Sequence, residues 1–487
     1  MKEYNGTQIT EDFYEFFAPY FVNLISHISD PREADNINLN YTLSSYLSTM
    51  ILGICQGATT MRQIALFSQD QSVREQIAFL FGGGDTARSQ NAFTRLTRQL
   101  NPQEFQQQYQ VIFHDLHENR ALEPFMINNM MIGAIDGIEL HNHLYTDLQN
   151  VTPCSHCLKR VHKKGTEYER EECFHRHVVM SLVGQPGSLF MAQEPMYPSE
   201  DGHDKGSEKK AAKRLLQRLW ENGFLELLDV VVCDALYADA DFLRSAASYG
   251  VIPVIRIKQE NYNIMKEVND LGEDVAFSTE AYDEERKRHY QYRVFEHLTS
   301  WKAYKGELCI VEIYERLPNG VMQKSRWVFP QEYMVKLLPP LVREVGHLRW
   351  QEEINEFKLA NQHFDIKHIL HHEPNSIELF LFLKFFVLTF ISLFLAQREP
   401  GLQKKNCFAK DILNVMRRWF IYGLHKIYQY WVILHYEFIC LMTFLSKILN
   451  IHEELKRDTI YRYTRISFCD RDRGCVPTQP VFVDDSG

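Results

Sequence analysis

Cysteine is scarce in this chain, with ten in 487 residues. That number is too small for a disulfide framework in a protein of this size, which argues against a secreted, disulfide-stabilised fold and favours a reducing compartment. The N-terminus carries an acid at Glu3 and lacks the apolar stretch of a secretory signal. Internal repeats and low-complexity tracts are also absent from the sequence. We therefore expect a globular, cytoplasmic protein.

An excess of positive charge is missing as well. The formal net charge is -10, while hydrophobic residues make up 45% and aromatic residues 13% of the chain. This composition indicates a globular protein with room for two to four domains. The charge excludes attraction to nucleic acid by the molecule as a whole, so any contact with DNA phosphates must come from local basic faces.

Long hydrophobic runs are rare, and one segment alone, residues 377–396, reaches the length of a membrane span. Glu378 and Lys384 interrupt this segment, and no second span accompanies it. A buried core helix is the favoured interpretation, and a membrane anchor is the alternative.

The pattern of apolar residues divides the chain into five regions. Residues 1–128 are predicted to be helical, and 129–284 to alternate strands with helices. The alternating pattern of 285–330 indicates an inserted β-rich subdomain. Helices return in 331–396 and continue through 397–487 to a loop-like tail. In the second region, three strands joined by short turns precede a helix–strand–helix–strand order, which predicts a mixed α/β sheet flanked by helices. The predicted strands there are 130–136, 174–184, 188–196, 228–234 and 251–257, and the predicted helices are 207–222 and 239–249.

Three acidic residues occupy positions suited to binding divalent cations. Asp136 and Asp234 each end an apolar run that is predicted to form a strand, and Glu353 lies in the helical string Arg349-Trp-Gln-Glu-Glu353. Carboxylates that converge in this way can bind cations that activate water against a phosphodiester. A lone aspartate at a strand end is more often a helix cap or a turn former, so the prediction depends on all three residues.

The text around these acids resembles the three sequence blocks of insertion-sequence DDE transposases. The blocks are Ala134-Ile-Asp-Gly137, Val232-Cys-Asp-Ala-Leu-Tyr-Ala238 and Arg349-Trp-Gln-Glu-Glu-Ile-Asn-Glu-Phe357. The resemblance covers about residues 129–396 and implies an RNase H-like core with a β insertion before the catalytic Glu. It implies that Asp136, Asp234 and Glu353 bind two Mg²⁺ or Mn²⁺ ions, and that Arg349 contacts phosphate. It further implies cut-and-paste transposition on double-stranded DNA, at the bacterial nucleoid and through a homodimer, without a membrane partner.

This sequence departs from the family pattern at two positions. Gly346 stands where many such transposases have Tyr, and Ala360 stands where many have Lys. Glu352 and Glu356 are rivals of Glu353 for the third carboxylate. A domesticated, non-catalytic DNA-binding protein and a metal-dependent nuclease without strand transfer remain as alternative functions.

A second metal site is predicted from a Cys-Ser-His-Cys string at Cys154–Cys157. Paired thiols followed by further Cys or His ligands are typical of structural zinc sites. The preferred ligands are Cys154, Cys157, His162 and His175, with Cys173 or His177 as alternatives to His175. A redox pair or two unconnected thiols are the other interpretations.

Two groups of basic residues are predicted to contact DNA. Lys163 and Lys164 lie within the Cys/His segment and suit contact with phosphate. A helix containing Arg88, Arg95 and Arg98 would align these side chains on one face. The alternative for this helix is an ordinary solvated face.

Overall fold

The computed structural model describes most of the chain. The described residues are 6–32, 40–84, 86–140, 143–144, 154–198, 207–272, 277–284, 286–351, 357–398 and 427. Glu353 and nearly all of the predicted C-terminal region 397–487 lie outside them.

The N-terminal region is helical, as predicted. Among its described residues the helices are α1 (Gly6–Ser26), α2 (Leu43–Cys55), α3 (Met61–Phe67), α4 (Gln71–Phe81), α5 (Gln90–Gln99) and α6 (Pro102–Glu118). Local sequence fixes several of their starts. Thr60 and Gln63 form a reciprocal capping box at α3, and Asn101 caps α6 ahead of Pro102 in the first turn.

Nine strands of the described residues form one mixed sheet. The core strands are β1 (Ile132–Glu139), β5 (Arg176–Gly184), β6 (Gly187–Pro195), β7 (Val230–Cys233) and β8 (Ile252–Arg256). Strands β6, β5 and β1 are antiparallel neighbours, whereas β1, β7 and β8 run parallel. Helix α7 (Ser207–Glu221) lies between β6 and β7, and α8 (Ala240–Ser248) connects the parallel strands β7 and β8. This arrangement confirms the predicted RNase H-like mixed sheet flanked by helices.

The inserted strands extend the core sheet. They are β9 (Phe277–Asp283), β10 (Arg288–Leu298), β11 (Leu308–Arg316) and β12 (Met322–Pro330), and they follow α9 (Asn263–Leu271). The order of the nine strands across the sheet is β6-β5-β1-β7-β8-β12-β11-β10-β9. Strand β12 pairs antiparallel with β8 through Trp327–Arg256 and Val328–Ile255. The insertion therefore begins before residue 285, and its strands share hydrogen bonds with the core instead of forming a sheet of their own.

Two helices beyond the insertion cover the sheet. Helix α10 (Pro339–Gln351) packs its apolar residues, including Val342 and Val345, against side chains of the parallel strands in one core. After α11 (Lys358–Phe364), helix α12 (Pro374–Arg398) packs on β6, where the rings of Phe190 and Phe385 stack at 4.9 Å. Helix α12 thereby joins the sheet to the N-terminal helices.

Helix α12 contains the apolar segment for which the sequence left a core helix and a membrane anchor as interpretations. Among the described residues, the segment Pro374–Gln397 is long and apolar enough to cross a membrane, and 94% of its apolar stretch is buried inside the structure. Its apolar character is used for packing, with Phe390 against Phe17 and Tyr20. This burial favours the predicted core helix.

The chain between β1 and β5 forms a small second sheet. It has the order β2-β4-β3, from β2 (His143–Leu144), β3 (Leu158–His162) and β4 (Arg170–Phe174). We call residues 143–144 and 154–175 the appendage. Since Glu139 of β1 pairs with Arg176 of β5, the chain leaves and re-enters the large sheet at the same edge. The appendage therefore rises from the edge at which β1 and β7 end.

Candidate catalytic site

Asp136 and Asp234 lie at the same edge of two neighbouring parallel strands. In the register of β1 and β7, Ile135 pairs with Cys233. Asp136 is the next residue of β1, and Asp234 is the first residue after β7. Both side chains are partly exposed. The structure thus brings together the two aspartates that the sequence placed 98 positions apart.

The two carboxylates are held by nearby backbone groups. The Asp136 carboxylate accepts a hydrogen bond from the Gly137 N–H at 2.8 Å. Asp234 caps a short 3-10 helix at 235–237, and its carboxylate accepts the Leu236 N–H at 2.7 Å. Asp234 therefore acts as the helix cap that the sequence offered as the alternative to a catalytic role. A capping carboxylate still has lone pairs for other ligands, so the two roles are compatible.

Arg349 reaches Asp136 from helix α10. Its Nη1 lies 3.3 Å from the Asp136 Oδ2, and its side chain is 3% exposed. Arg256, at the end of β8, lies near the same groups. Burial and the charge of Arg349 lower the pKa of the Arg256 guanidinium, and Asp234 opposes this effect. The Arg349 guanidinium therefore contacts Asp136, and Arg256 is close enough to interact electrostatically with Asp234, so positive charge partly offsets that of the two aspartates.

The sequence offered no prediction for Glu208 and Tyr237, which border this edge. The Tyr237 hydroxyl lies 3.1 Å from the Glu208 Oε1, and Arg176 lies 3.8 Å from the other Glu208 oxygen. Burial, reinforced by Glu208, raises the pKa of Tyr237 well above its ordinary value, so its hydroxyl remains a donor. The only sequence signal that could have indicated Tyr237 is its place three residues after Asp234.

Gly137 makes the approach of Glu208 possible. A Cβ at this position would lie 2.8 Å from the Glu208 carboxyl group. The glycine beside Asp136 therefore leaves the space that Glu208 occupies. A third acidic group is thus held within reach of the aspartate edge, on the first turn of α7.

The departure at Gly346 has a structural reason. A Cβ at residue 346 would lie 2.4 Å from the indole ring of Trp327, which β12 presents to α10. Trp327 is buried and belongs to the core between the sheet and α10. Trp327 thus fills the space that a side chain at residue 346 would need. Ala360, the second departure, is fully buried.

A comparison with known protein families supports this site. The family profile described as "Transposase DDE domain" matches residues 132–390, more than half of the 487-residue chain. The chain belongs to the DDE transposase family. A search of curated proteins found no match. The family match begins at β1 and ends in α12, so it spans the aspartate edge, the insertion and the helix that carries Arg349.

The transposase also has a Cys/His cluster, but its members differ from the predicted set. Cys154, Cys157, His175 and His372 present ligand atoms that lie within 4.8 Å of one another. His372 precedes α12 and was missed, because nothing in the sequence connects it with Cys157, 215 residues away.

Three predicted or alternative ligands lie outside this cluster. His162 is at the far end of β3, where its Nε2 contacts the Glu172 carboxylate at 2.5 Å. Cys173 is buried in β4, and His177 is buried in β5. Burial lowers the pKa of His177 to about 3, so this imidazole is neutral at physiological pH. Of the four preferred ligands, the structure brings Cys154, Cys157 and His175 together and replaces His162 by His372.

The thiols of the cluster contact one another and both imidazoles. The Cys154 Sγ lies 3.1 Å from the His175 Nε2, and the Cys157 Sγ lies 3.1 Å from the His372 Nε2. The two sulfur atoms are 3.7 Å apart. A hydrogen bond from the Cys157 thiol, assisted by His175, lowers the pKa of Cys154. A thiolate is the form that binds a metal ion.

The predicted DNA-contacting arginines separate into two groups. Arg88 lies before α5, is 2% exposed, and donates to the hydroxyls of Ser45 and Thr49. The predicted DNA-contacting face therefore does not include Arg88, because helix α5 begins only at Gln90. Arg95 and Arg98 are exposed on α5, and Arg98 also contacts His371 at 3.1 Å.

The two predicted lysines are exposed in the turn between β3 and β4 of the appendage. Lys163 adopts a left-handed conformation with φ 49°, and its ammonium lies 5.1 Å from the centre of the Tyr168 ring. Both lysines belong to the appendage, whose chain leaves and re-enters the large sheet at Glu139 and Arg176.

Proposed function

We propose that this transposase catalyses divalent-metal-dependent DNA strand cleavage and strand transfer, the reactions of cut-and-paste transposition. The observation that carries the proposal is the pairing of Ile135 with Cys233. It puts Asp136 and Asp234 side by side at one sheet edge, where both can face the same DNA strand. The family match supports a DNA-processing role for this edge.

The residues at this edge suit hard divalent cations. Carboxylate oxygens are the ligands that Mg²⁺ and Mn²⁺ prefer, and the Asp136 side chain is 18% exposed, so it is accessible. We propose that Asp136, Asp234 and Glu353 hold two such ions. When bound, the ions would act as Lewis acids that activate a water or a 3′-hydroxyl and stabilise the leaving oxygen. Arg349 would orient a phosphate group through its planar guanidinium.

Double-stranded DNA is the proposed partner, both as element ends and as target. The exposed Lys163 and Lys164 on the appendage, together with Arg95 and Arg98 on α5, offer the local positive charge that the acidic chain needs. Joining two element ends requires two active sites, so we propose a homodimer in the DNA complex. The proposed place of action is the cytoplasm, at the nucleoid.

The test is strand cleavage by isosteric variants of the purified chain. The substrate is a donor plasmid that carries the coding segment with its flanking DNA. Asp136→Asn and Asp234→Asn should each lower the Mg²⁺-dependent cleavage rate roughly a thousandfold, the equivalent of about 4 kcal/mol. Asp229→Asn is the matched control, because Asp229 precedes the opposite end of β7 and accepts the Met131 N–H at 2.8 Å. This control should cleave at nearly the wild-type rate.

The same assay separates the alternative functions. Joining of the cleaved ends to a second plasmid distinguishes a transposase from a nuclease without strand transfer. Binding of DNA without cleavage in Mg²⁺ or Mn²⁺ would instead indicate a domesticated, non-catalytic protein. Full cleavage by Asp136→Asn or Asp234→Asn would refute the assignment of the site.

A further inference from the structure

We infer that Cys154, Cys157, His175 and His372 form a closed structural zinc centre that fastens the appendage to the segment between α11 and α12. This site shares no residue with the aspartate pair, and its assignment does not depend on the proposed transposition reaction. The class of ligand is a soft or borderline divalent metal ion, for which two thiols and two imidazoles are a suitable donor set.

The spacing of the four donors fits a tetrahedral metal ion. With Zn–S bonds of about 2.3 Å and Zn–N bonds of about 2.0–2.1 Å, a tetrahedron places its sulfur atoms about 3.8 Å apart. The same geometry separates sulfur from nitrogen by about 3.5 Å. The observed sulfur–sulfur distance is 3.7 Å. The observed sulfur–nitrogen distances are 3.1 Å for Cys154–His175, 3.5 Å for Cys157–His175 and 3.1 Å for Cys157–His372.

The donors also point at one another inside the protein. Cys157 is 5% exposed and His175 is 2% exposed, while Cys154 and His372 are partly exposed. Both imidazoles direct Nε2 at the sulfur atoms, and their rings meet edge to face at 5.0 Å. Four protein donors complete a tetrahedron and leave no position for substrate, which is the pattern of a structural zinc site.

The position of His372 gives the site a mechanical role. Cys157 and His372 are 215 residues apart in sequence, so a metal ion here would close a long loop between the appendage and the chain that leads into α12. The same chain segment contacts the N-terminal region, where Arg98 meets His371 and Asn375. The metal would therefore fix the appendage, with Lys163 and Lys164 at its tip, relative to two other parts of the transposase.

The test is metal analysis of the full-length chain, purified without added metal. We expect about one zinc ion per wild-type chain and, after exchange, a visible spectrum of tetrahedral thiolate-bound Co²⁺. His372→Gln should lower the affinity for Co²⁺ at least about 100-fold. Cys157→Ser should lower the affinity as well and should at least halve the thiolate-to-cobalt absorption per bound ion, since one of the two sulfur ligands is lost. His162→Gln and His371→Gln are the matched controls. His162 lies in the appendage with the two cysteines, and His371 is next to His372 in the chain. Both control variants should retain zinc at the wild-type level.

Several outcomes would overturn the inference. Wild-type protein that neither retains zinc nor gives the Co²⁺ spectrum has no such site. A Cys154–Cys157 disulfide as the resting state, seen as a mass loss of two hydrogens without metal, would indicate a redox pair. Equal loss of metal in His162→Gln and His372→Gln would reject the ligand set. If Cys157→Ser does not fold, the wild-type titration and the three histidine variants still decide the question, independently of any DNA cleavage.

Discussion

Arg349 places its guanidinium Nη1 3.3 Å from the carboxylate Oδ2 of Asp136, a residue 213 positions earlier in the chain. The guanidinium also lies over the ring of Trp350, 4.5 Å from its centre. Helix α10 is thus docked with a buried positive charge directed at the first aspartate. This contact holds the helix that leads toward Glu353 against the edge at which Asp136 and Asp234 meet.

We predict that Arg349→Gln separates metal affinity from turnover. Loss of the positive charge should lower the Mg²⁺ concentration that gives half-maximal cleavage, because Arg349 competes with cations for Asp136. Loss of the phosphate contact should lower the maximal rate about 100-fold. Cleavage measured across a Mg²⁺ series gives both quantities. Arg349→Lys is the control that retains the charge without the planar fork. A Gln variant with the wild-type maximal rate would contradict the phosphate-orienting role.

We predict that Glu353 alone supplies the third carboxylate. Glu352→Gln, Glu353→Gln and Glu356→Gln remove the same charge from one short stretch, which makes them controls for one another. Only Glu353→Gln should reduce cleavage to the level of Asp136→Asn, since it has the family's spacing from Arg349. A larger loss in either of the other two variants would move the assignment to that residue.

We predict that Lys163 and Lys164 contribute to DNA binding through phosphate contacts. The double variant Lys163→Ala/Lys164→Ala should reduce the slope of log K against log salt by about 2, with similar effects on all DNA sequences. Lys336→Ala is the control, because this exposed lysine lies near Asp229 at the opposite edge of the sheet. Binding isotherms at several salt concentrations provide the slope. An unchanged slope in the double variant would exclude the appendage from the DNA interface.

We predict that Gly346→Ala destabilises the protein by about 1–3 kcal/mol in spite of the higher helix propensity of alanine. The added methyl group would overlap the Trp327 ring, because a Cβ at residue 346 would lie only 2.4 Å from the nearest ring atoms. In a double-mutant cycle with Trp327→Leu, the two substitutions should be less damaging together than their sum. Denaturant unfolding of the four proteins measures the coupling. Additive effects would show that Trp327 is not the obstacle.

We predict that Glu378→Gln stabilises the protein at alkaline pH but not at acidic pH. Burial, together with Glu194, raises the pKa of Glu378 from 4.5 to about 7. Because folding raises this pKa, the wild-type protein suffers no cost below pH 4.5, and it loses about 3 kcal/mol as the pH rises through about 7. The gain in the free energy of unfolding should therefore be near zero at pH 4.5 and largest above pH 7. A gain independent of pH would contradict the burial of the charge.

The aspartates were predictable because each one ends a short apolar run, and such runs are recognisable as buried strands. The rule that parallel strands end at the same edge predicts that Asp136 and Asp234 are neighbours. In the structure the pairing of β1 with β7 stops at Ile135 and Cys233, although β1 itself continues to Glu139. The Cys154–Cys157 pair was recognisable from its spacing for the same local reason. The prediction for Arg88 was wrong because it depended on where one helix begins. A helix that starts at Gln90 instead of before Arg88 moves this arginine into the core, where Ser45 and Thr49 bind it.

The sequence by itself determined the order of the five core strands and of the two helices among them, the position of the two aspartates after apolar runs, and the resemblance to DDE transposases. Periodicity and short motifs are local properties, whereas strands β2, β3, β4 and β9 were not predicted. Only the tertiary structure decided that His372, not His162, completes the Cys/His cluster and that Arg349 meets Asp136. It alone revealed that Glu208 fills the space beside Gly137 and that the insertion continues the core sheet. These contacts join residues far apart in the chain, and the packing of whole elements brings them together.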